Sequence, residues 1–109
     1  MRDVVFTIKQ YKVIKKFDRF TKRYGYIVVN VKSDKFAHTH INDKDTAICI
    51  AKNCAYKLTP NTTNLYLLNS HLRLSNDKRY KQYIENIISS ISYNVPVRYN
   101  YNLYPKYKK

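Results

Sequence analysis

Residues 12–24 constrain the fold more than any other stretch, because they sort into an apolar set and a cationic set with almost no mixing. At a period of about 3.6 residues, Val13, Phe17, Phe20 and Tyr24 line one side, with Ile14 at its edge. Lys12, Lys15, Lys16, Arg19, Lys22 and Arg23 line the other, offset only by Asp18. The chain's single glycine, Gly25, follows where a helix ending in a left-handed residue favours one. Lys22 and Arg23 would suit the negative end of the helix dipole. The spacing predicts an amphipathic helix that buries its aromatics and turns a cationic surface to solvent.

Charge runs are commonly no more than solvated surface. An exposed helix, however, usually mixes its charges, and each close like-charged pair costs a few tenths of a kcal/mol. A polyanion would relieve that repulsion. The whole chain leans the same way, with 21 Lys and Arg against 7 Asp and Glu and a net charge of +14 over 109 residues. Such an excess favours phosphate backbones, anionic surfaces or acidic proteins as partners. No run approaches the roughly 18 apolar residues of a membrane span, and no secretory leader opens the chain. A soluble, intracellular protein without a membrane partner is expected. Tyr, Asn, Ile and Lys abound, with 12 Tyr and no Trp, as in products of AT-rich genomes. A virus, phage or mobile element fits that bias, and so do some cellular genomes.

The remaining elements follow from periodicity and punctuation. Residues 3–9 alternate, with Val4, Phe6 and Ile8 on one face, and residues 26–31 alternate again, so both read as strands. Ser33-Asp34-Lys35 is a turn leading to a short strand at 36–41. Asp43 and Asp45 favour a helix start, and Ala47, Ile48, Ala51, Cys54, Ala55 and Leu58 form its apolar stripe before Pro60. Residues 65–74 place Tyr66, Leu68, Leu72 and Leu74 on one parity, as in a strand. Ser75 or Asn76 can cap a helix whose stripe is Tyr80, Ile84, Ile87, Ile88 and Ile91. Residues 95–103 alternate as a last strand, with Pro96 favouring an edge. The expected fold is α+β: a ferredoxin-like βαββαβ core with an added C-terminal helix and strand. One domain would span residues 1–104, followed by a basic, mobile tail at 105–109.

Cys49 and Cys54 would project about 140° apart on a helix, which suits two reduced thiols rather than a bridge. One glycine rules out a Gly-rich phosphate loop, and no Ser-His-Asp or Cys-His signature is present. The seven acids are scattered, with no evident acid–base pair. Enzymes with a conventional pocket are therefore disfavoured. Aromatics interleave with bases at 12–24, 78–83 and 98–109, a combination suited to single strands, where cations track phosphates and rings stack bases. The candidate nucleic-acid contacts are Lys12, Lys15, Lys16, Arg19, Lys22, Arg23, Lys78, Arg79, Arg98 and Lys106. Phosphate binding of this kind needs no cofactor.

His38-Thr39-His40 sets two imidazoles on one face of a strand, a partial ligand set for a divalent metal. With Phe6-Thr7-Ile8 before it and Lys81-Gln82-Tyr83-Ile84-Glu85-Asn86 after it, the order over residues 3–92 resembles HUH-type endonucleases. These are the rolling-circle initiators and small single-tyrosine transposases. The resemblance implies a ferredoxin-like sheet, with His38 and His40 holding Mn²⁺ or Mg²⁺ to polarise the scissile phosphate. It also implies Tyr83 as the nucleophile that leaves a 5′-phosphotyrosine. Three readings follow: a DNA- or RNA-binding protein using its first helix, a metal-dependent nicking enzyme, or an accessory protein that binds an acidic host protein.

Overall fold

The computed structural model describes residues 3–33 and 36–92. Four strands, β1 (Asp3–Ile8), β2 (Tyr11–Asp18), β3 (Arg23–Asn30) and β4 (His38–Ile41), form an antiparallel meander in sequential order. Three helices follow, α1 (Lys44–Tyr56), α2 (Leu65–Leu74) and α3 (Lys78–Ser92). The α+β class is as expected, but the order is ββββααα and not the split βαβ of a ferredoxin-like domain. Residues 95–103, the tail at 105–109, Arg98 and Lys106 lie outside the described residues.

The largest correction falls on residues 12–24, which are a β-hairpin. Phe17 pairs directly with Tyr24, Ile14 with Ile27 and Val13 with Val28. Positions seven apart share a face after two helical turns, and they also meet across a hairpin whose strands are joined by a four-residue connection, here residues 19–22 between the Asp18–Arg23 pair. The apolar spacing of Phe17 and Tyr24 therefore fits both geometries. Burial on both faces separates them: Val13 is buried against the helices, while Ile14 is only 7% exposed on the opposite face, beside Val4 and Ile27. β-Branched residues at 13, 14 and 27–29 suit a pleated surface better than a helix. Gly25 caps nothing; it sits within β3 opposite Lys16, with no positive φ, and a Cβ there would meet only Ile41 O at an ordinary 3.5 Å.

A register shift between Val4 and Phe6 makes a second correction. The bulge turns Val5, Phe6 and Ile8 toward the core and leaves Val4 on the other face, half-exposed.

Residues 65–74, expected as a strand, form α2. Asn64 caps it by accepting from Leu67 N at 3.2 Å, and Leu68, His71 and Leu74 are buried at helical spacing. Leucine serves either element, so the cap and the spacing decide.

α1 starts where Asp43 accepts from Thr46 N at 2.8 Å and ends at Lys57, left-handed at φ 57°. α3 is capped by Asp77, which accepts from Tyr80 N at 2.9 Å, rather than by Ser75 or Asn76. Ser75 instead accepts from Asp77 N at 3.1 Å.

α1 and α2 rest on one face of the sheet, and α3 packs against α2. Their shared core holds Tyr11, Val13, Val28, Ile50, Leu68, Tyr80, Ile84 and Ile87. Buried polar groups there are paired. Asn30 donates to Leu74 O at 2.6 Å and to Asn76 Oδ1, while its own oxygen accepts from Lys32 N. His71 Nδ1 donates to Leu67 O at 2.7 Å, so its Nε2 accepts from Asn53 at 3.2 Å. That fixes the neutral tautomer, and burial holds the His71 pKa down at about 4. Ser70 donates to Tyr66 O, leaving Thr39 to donate to Ser70 across 2.8 Å.

Candidate nucleic-acid interface

The β2–β3 hairpin is longer than its neighbours. Among the described residues, β1 reaches β2 only as far as Asp3 opposite Lys15, and β4 reaches β3 only as far as Ile41 opposite Tyr26. Among the described residues, residues 16–25 pair only with one another and form a two-stranded arm. At about 3.3 Å per residue, five residues from that edge to the tip extend it by roughly 15 Å.

The arm carries Lys16, Arg19, Lys22 and Arg23, all exposed, and one acid, Asp18. Asp18 Oδ1 accepts from Phe20 N at 2.9 Å, which holds the turn. At the far side of the loop, Lys22 takes a left-handed backbone at φ 56°. Among the described residues, no carboxylate lies within ion-pair distance of the four cations. The acid most able to offset them is engaged by the backbone of the tip.

Aromatic rings occupy the same arm. Phe17 and Tyr24 meet edge to face with centroids 5.1 Å apart, and Lys15 Nζ sits 4.4 Å over the Tyr24 ring. The pair is 46% and 57% exposed, and Phe20 at the tip is 98% exposed. Neither Phe17 nor Phe20 belongs to the core expected from the helical reading. A groove of about 890 Å³ runs beside the arm, bordered by Lys16, Arg19, Arg23 and Tyr24 and by the end of β4 at His40 and Asn42.

The six cations of residues 12–24 do not form one continuous face. Strand alternation sends Lys12, Lys16 and Arg23 to the sheet face away from the helices, Lys15 to the helix side, and Arg19 and Lys22 to the tip. The outward sheet face is otherwise apolar at its centre, with Ile14, Ile27 and Val29, and His38 and His40 lie at its β4 edge. Lys78 and Arg79 are exposed on the first turn of α3, in the helix layer and away from the arm.

His38 and His40 do share the exposed face, with ring centroids 5.3 Å apart, while Thr39 between them is buried toward α2. Partial burial, then His38, Lys16 and Arg73, hold the His40 pKa below the ordinary histidine value. Among the described residues, no group of three or more His, Cys, Asp or Glu is placed to hold a metal. Tyr83 lies on the other side of the sheet, in the helix layer, 3% exposed, with its hydroxyl 2.9 Å from Thr59 Oγ1. The structure does not bring Tyr83 together with the two histidines. Cys49 is exposed and Cys54 is buried, both as free thiols, and burial pushes the Cys54 pKa up. No described helix is long and apolar enough to cross a membrane.

Comparison with known proteins returned no matching family model, no matching curated protein and no matching solved structure. The residue that sequence periodicity misplaced most is Phe20. Its signal was the Asp18-Arg19-Phe20 turn chemistry between two β-branched runs.

Proposed function

We propose that this protein binds nucleic acid, inside a cell, through phosphate contacts made by the β2–β3 arm and the adjoining outward sheet face. One observation carries the reading: Lys16, Arg19, Lys22 and Arg23 are concentrated on a projecting ribbon with no carboxylate partner among the described residues, and Asp18 is engaged in the turn. Phosphate neutralisation releases condensed counterions, and this favours such a surface without any sequence code. A two-stranded ribbon also has the width that the major groove of B-form DNA admits. Lys12 extends the cationic track along the outward face.

The test is a salt titration on DNA and RNA of the wild type and a variant carrying Lys16→Gln, Arg19→Gln, Lys22→Gln and Arg23→Gln. All four side chains are exposed, so the variant is expected to remain folded. On duplex DNA its log–log salt slope should flatten by about 0.9 per lost contact, or roughly 3–4 in all. Equal slopes in a folded variant would remove the arm from any phosphate-binding surface and favour an acidic protein as partner.

A further inference from the structure

A cationic arm needs no aromatic at its tip, yet Phe20 stands there 98% exposed. Among the described residues it takes no part in the core, and exposing a ring to water is unfavourable. Its presentation is nonetheless held from both sides: Phe20 N is bonded to the Asp18 carboxylate, and Lys22 takes the left-handed turn conformation. Arg19 and Lys22 flank the ring, and the half-exposed Phe17–Tyr24 pair stiffens the ribbon behind it. An exposed ring carried on a fixed backbone turn between cations, at the end of a ribbon, matches what a nucleobase next to its own phosphates presents. Base–aromatic stacking uses one face of one ring and tolerates any base. An anionic bilayer is the other surface that takes cations with an apolar group, but one ring offers it little area.

Resting on the nucleic-acid reading, we infer that Phe20 is a base-stacking wedge, and that the preferred ligand is nucleic acid with an unpaired or frayed base rather than a fully paired duplex. Insertion into an intact stack must first separate two base pairs, a cost absent where the base is already unstacked. The arm's cations hold the phosphates on either side while the ring covers the free base face. Selectivity for the junction then resides in Phe20, and general affinity in Lys16, Arg19, Lys22 and Arg23.

The experiment compares the full chain with Phe20→Ala and Phe20→Trp on a blunt duplex and on the same duplex with a single-stranded overhang. The wild type should favour the overhang substrate. Phe20→Ala should lose roughly 5- to 150-fold in affinity there, the fold-change that corresponds to stacking on one base, with little change on the blunt duplex. Phe20→Trp should restore the preference. Because the chain has no other Trp, its emission reports stacking directly and should be quenched by the overhang substrate but not by heparin, which has charge without bases. Wild-type affinity of Phe20→Ala for both substrates, or unchanged Trp emission at saturation, would overturn the wedge. If the four-cation variant still showed a flattened slope, the phosphate reading would survive that result. Phosphatidylserine vesicles complete the set: vesicle binding lost in Phe20→Ala, with junction affinity unchanged, would overturn the wedge in favour of a lipid surface.

Discussion

The two halves of the β2–β3 hairpin use similar residues for opposite ends. In the inner half, Val13 and Val28 face each other beneath the helices, and the Asn30 side chain donates to Leu74 O and Asn76 Oδ1 and accepts from Lys32 N. In the outer half, Phe17 and Tyr24 face each other with none of the described helices above them, and the tip presents Phe20 to solvent. The inner half is made by burial and paired polar groups. The outer half is held by cross-strand bonds, one edge-to-face ring pair and the Asp18 turn, so its side chains remain available to a partner. Apolar character alone therefore says little about burial in this chain; position relative to the helices decides it.

That contrast is open to attack at its stable end first. Tyr80 is fully buried and its hydroxyl donates to Leu58 O at 2.7 Å. Tyr80→Ala should cost about 3–5 kcal/mol in urea or guanidinium unfolding, the range for an aromatic removed from a core. A loss below about 1 kcal/mol would break the distinction between core and arm.

The His71 network gives the next largest effect. Its pKa is about 4 in the folded protein, against the ordinary 6.5 expected when unfolded. The unfolded chain therefore takes up the proton first. This contribution to stability is complete above about pH 6.5 and is lost as the pH falls toward 4. At about 1.4 kcal/mol per unit, the loss amounts to about 3 kcal/mol. Urea midpoints measured between pH 7 and 4 should show it, and His71→Gln, though less stable at pH 7, should show a shallower fall. Parallel pH profiles would mean that His71 is not held neutral by its surroundings.

At the arm the effects on stability should be small. Phe17→Ala should cost about 1 kcal/mol, through the lost ring pair and partial burial. Phe20→Ala should shift stability by no more than about 0.5 kcal/mol, since the ring touches almost nothing. Chemical denaturation of both variants alongside the wild type sharpens the comparison to single residues. A loss at Phe20 approaching that at Tyr80 would place the ring in a core and remove it from the tip. Cys49→Ser belongs with the smallest effects, within about 0.5 kcal/mol, because the thiol is exposed and unbridged. Mass analysis under non-reducing conditions should find no Cys49–Cys54 bond.

Much of this was legible in the chain itself. The cation excess, the α+β class, strands expected at 3–9 and 36–41 and found at Asp3–Ile8 and His38–Ile41, and α1 and α3 with their apolar stripes all follow from composition and period, although α3 is capped by Asp77. Of the six cations that the sequence concentrates in residues 12–24, Lys16, Arg19, Lys22 and Arg23 occupy one projecting element, while Lys12 and Lys15 lie on opposite faces of the sheet body. Their carrier was not legible. Phe17 and Tyr24, seven residues apart, satisfy a helix and a hairpin equally, and Gly25 imitates a helix end while serving as a strand residue.

Local sequence determined where charge and apolarity sit along the chain, because those are properties of single side chains and short periods. Tertiary structure decided which faces those residues occupy. Backbone donors and acceptors of residues 12–18 find partners in β1 on one side and in β3 on the other, and those of residues 23 and 24 in β2, so strand pairing prevails over helical periodicity. One bulge in β1 turns Val4 away from Phe6, and packing in the helix layer draws Tyr83 into the core, across the sheet from His38 and His40. Phe20 stays in solvent for the same reason: the described helices pack on the four-stranded body of the sheet, and the hairpin continues past it.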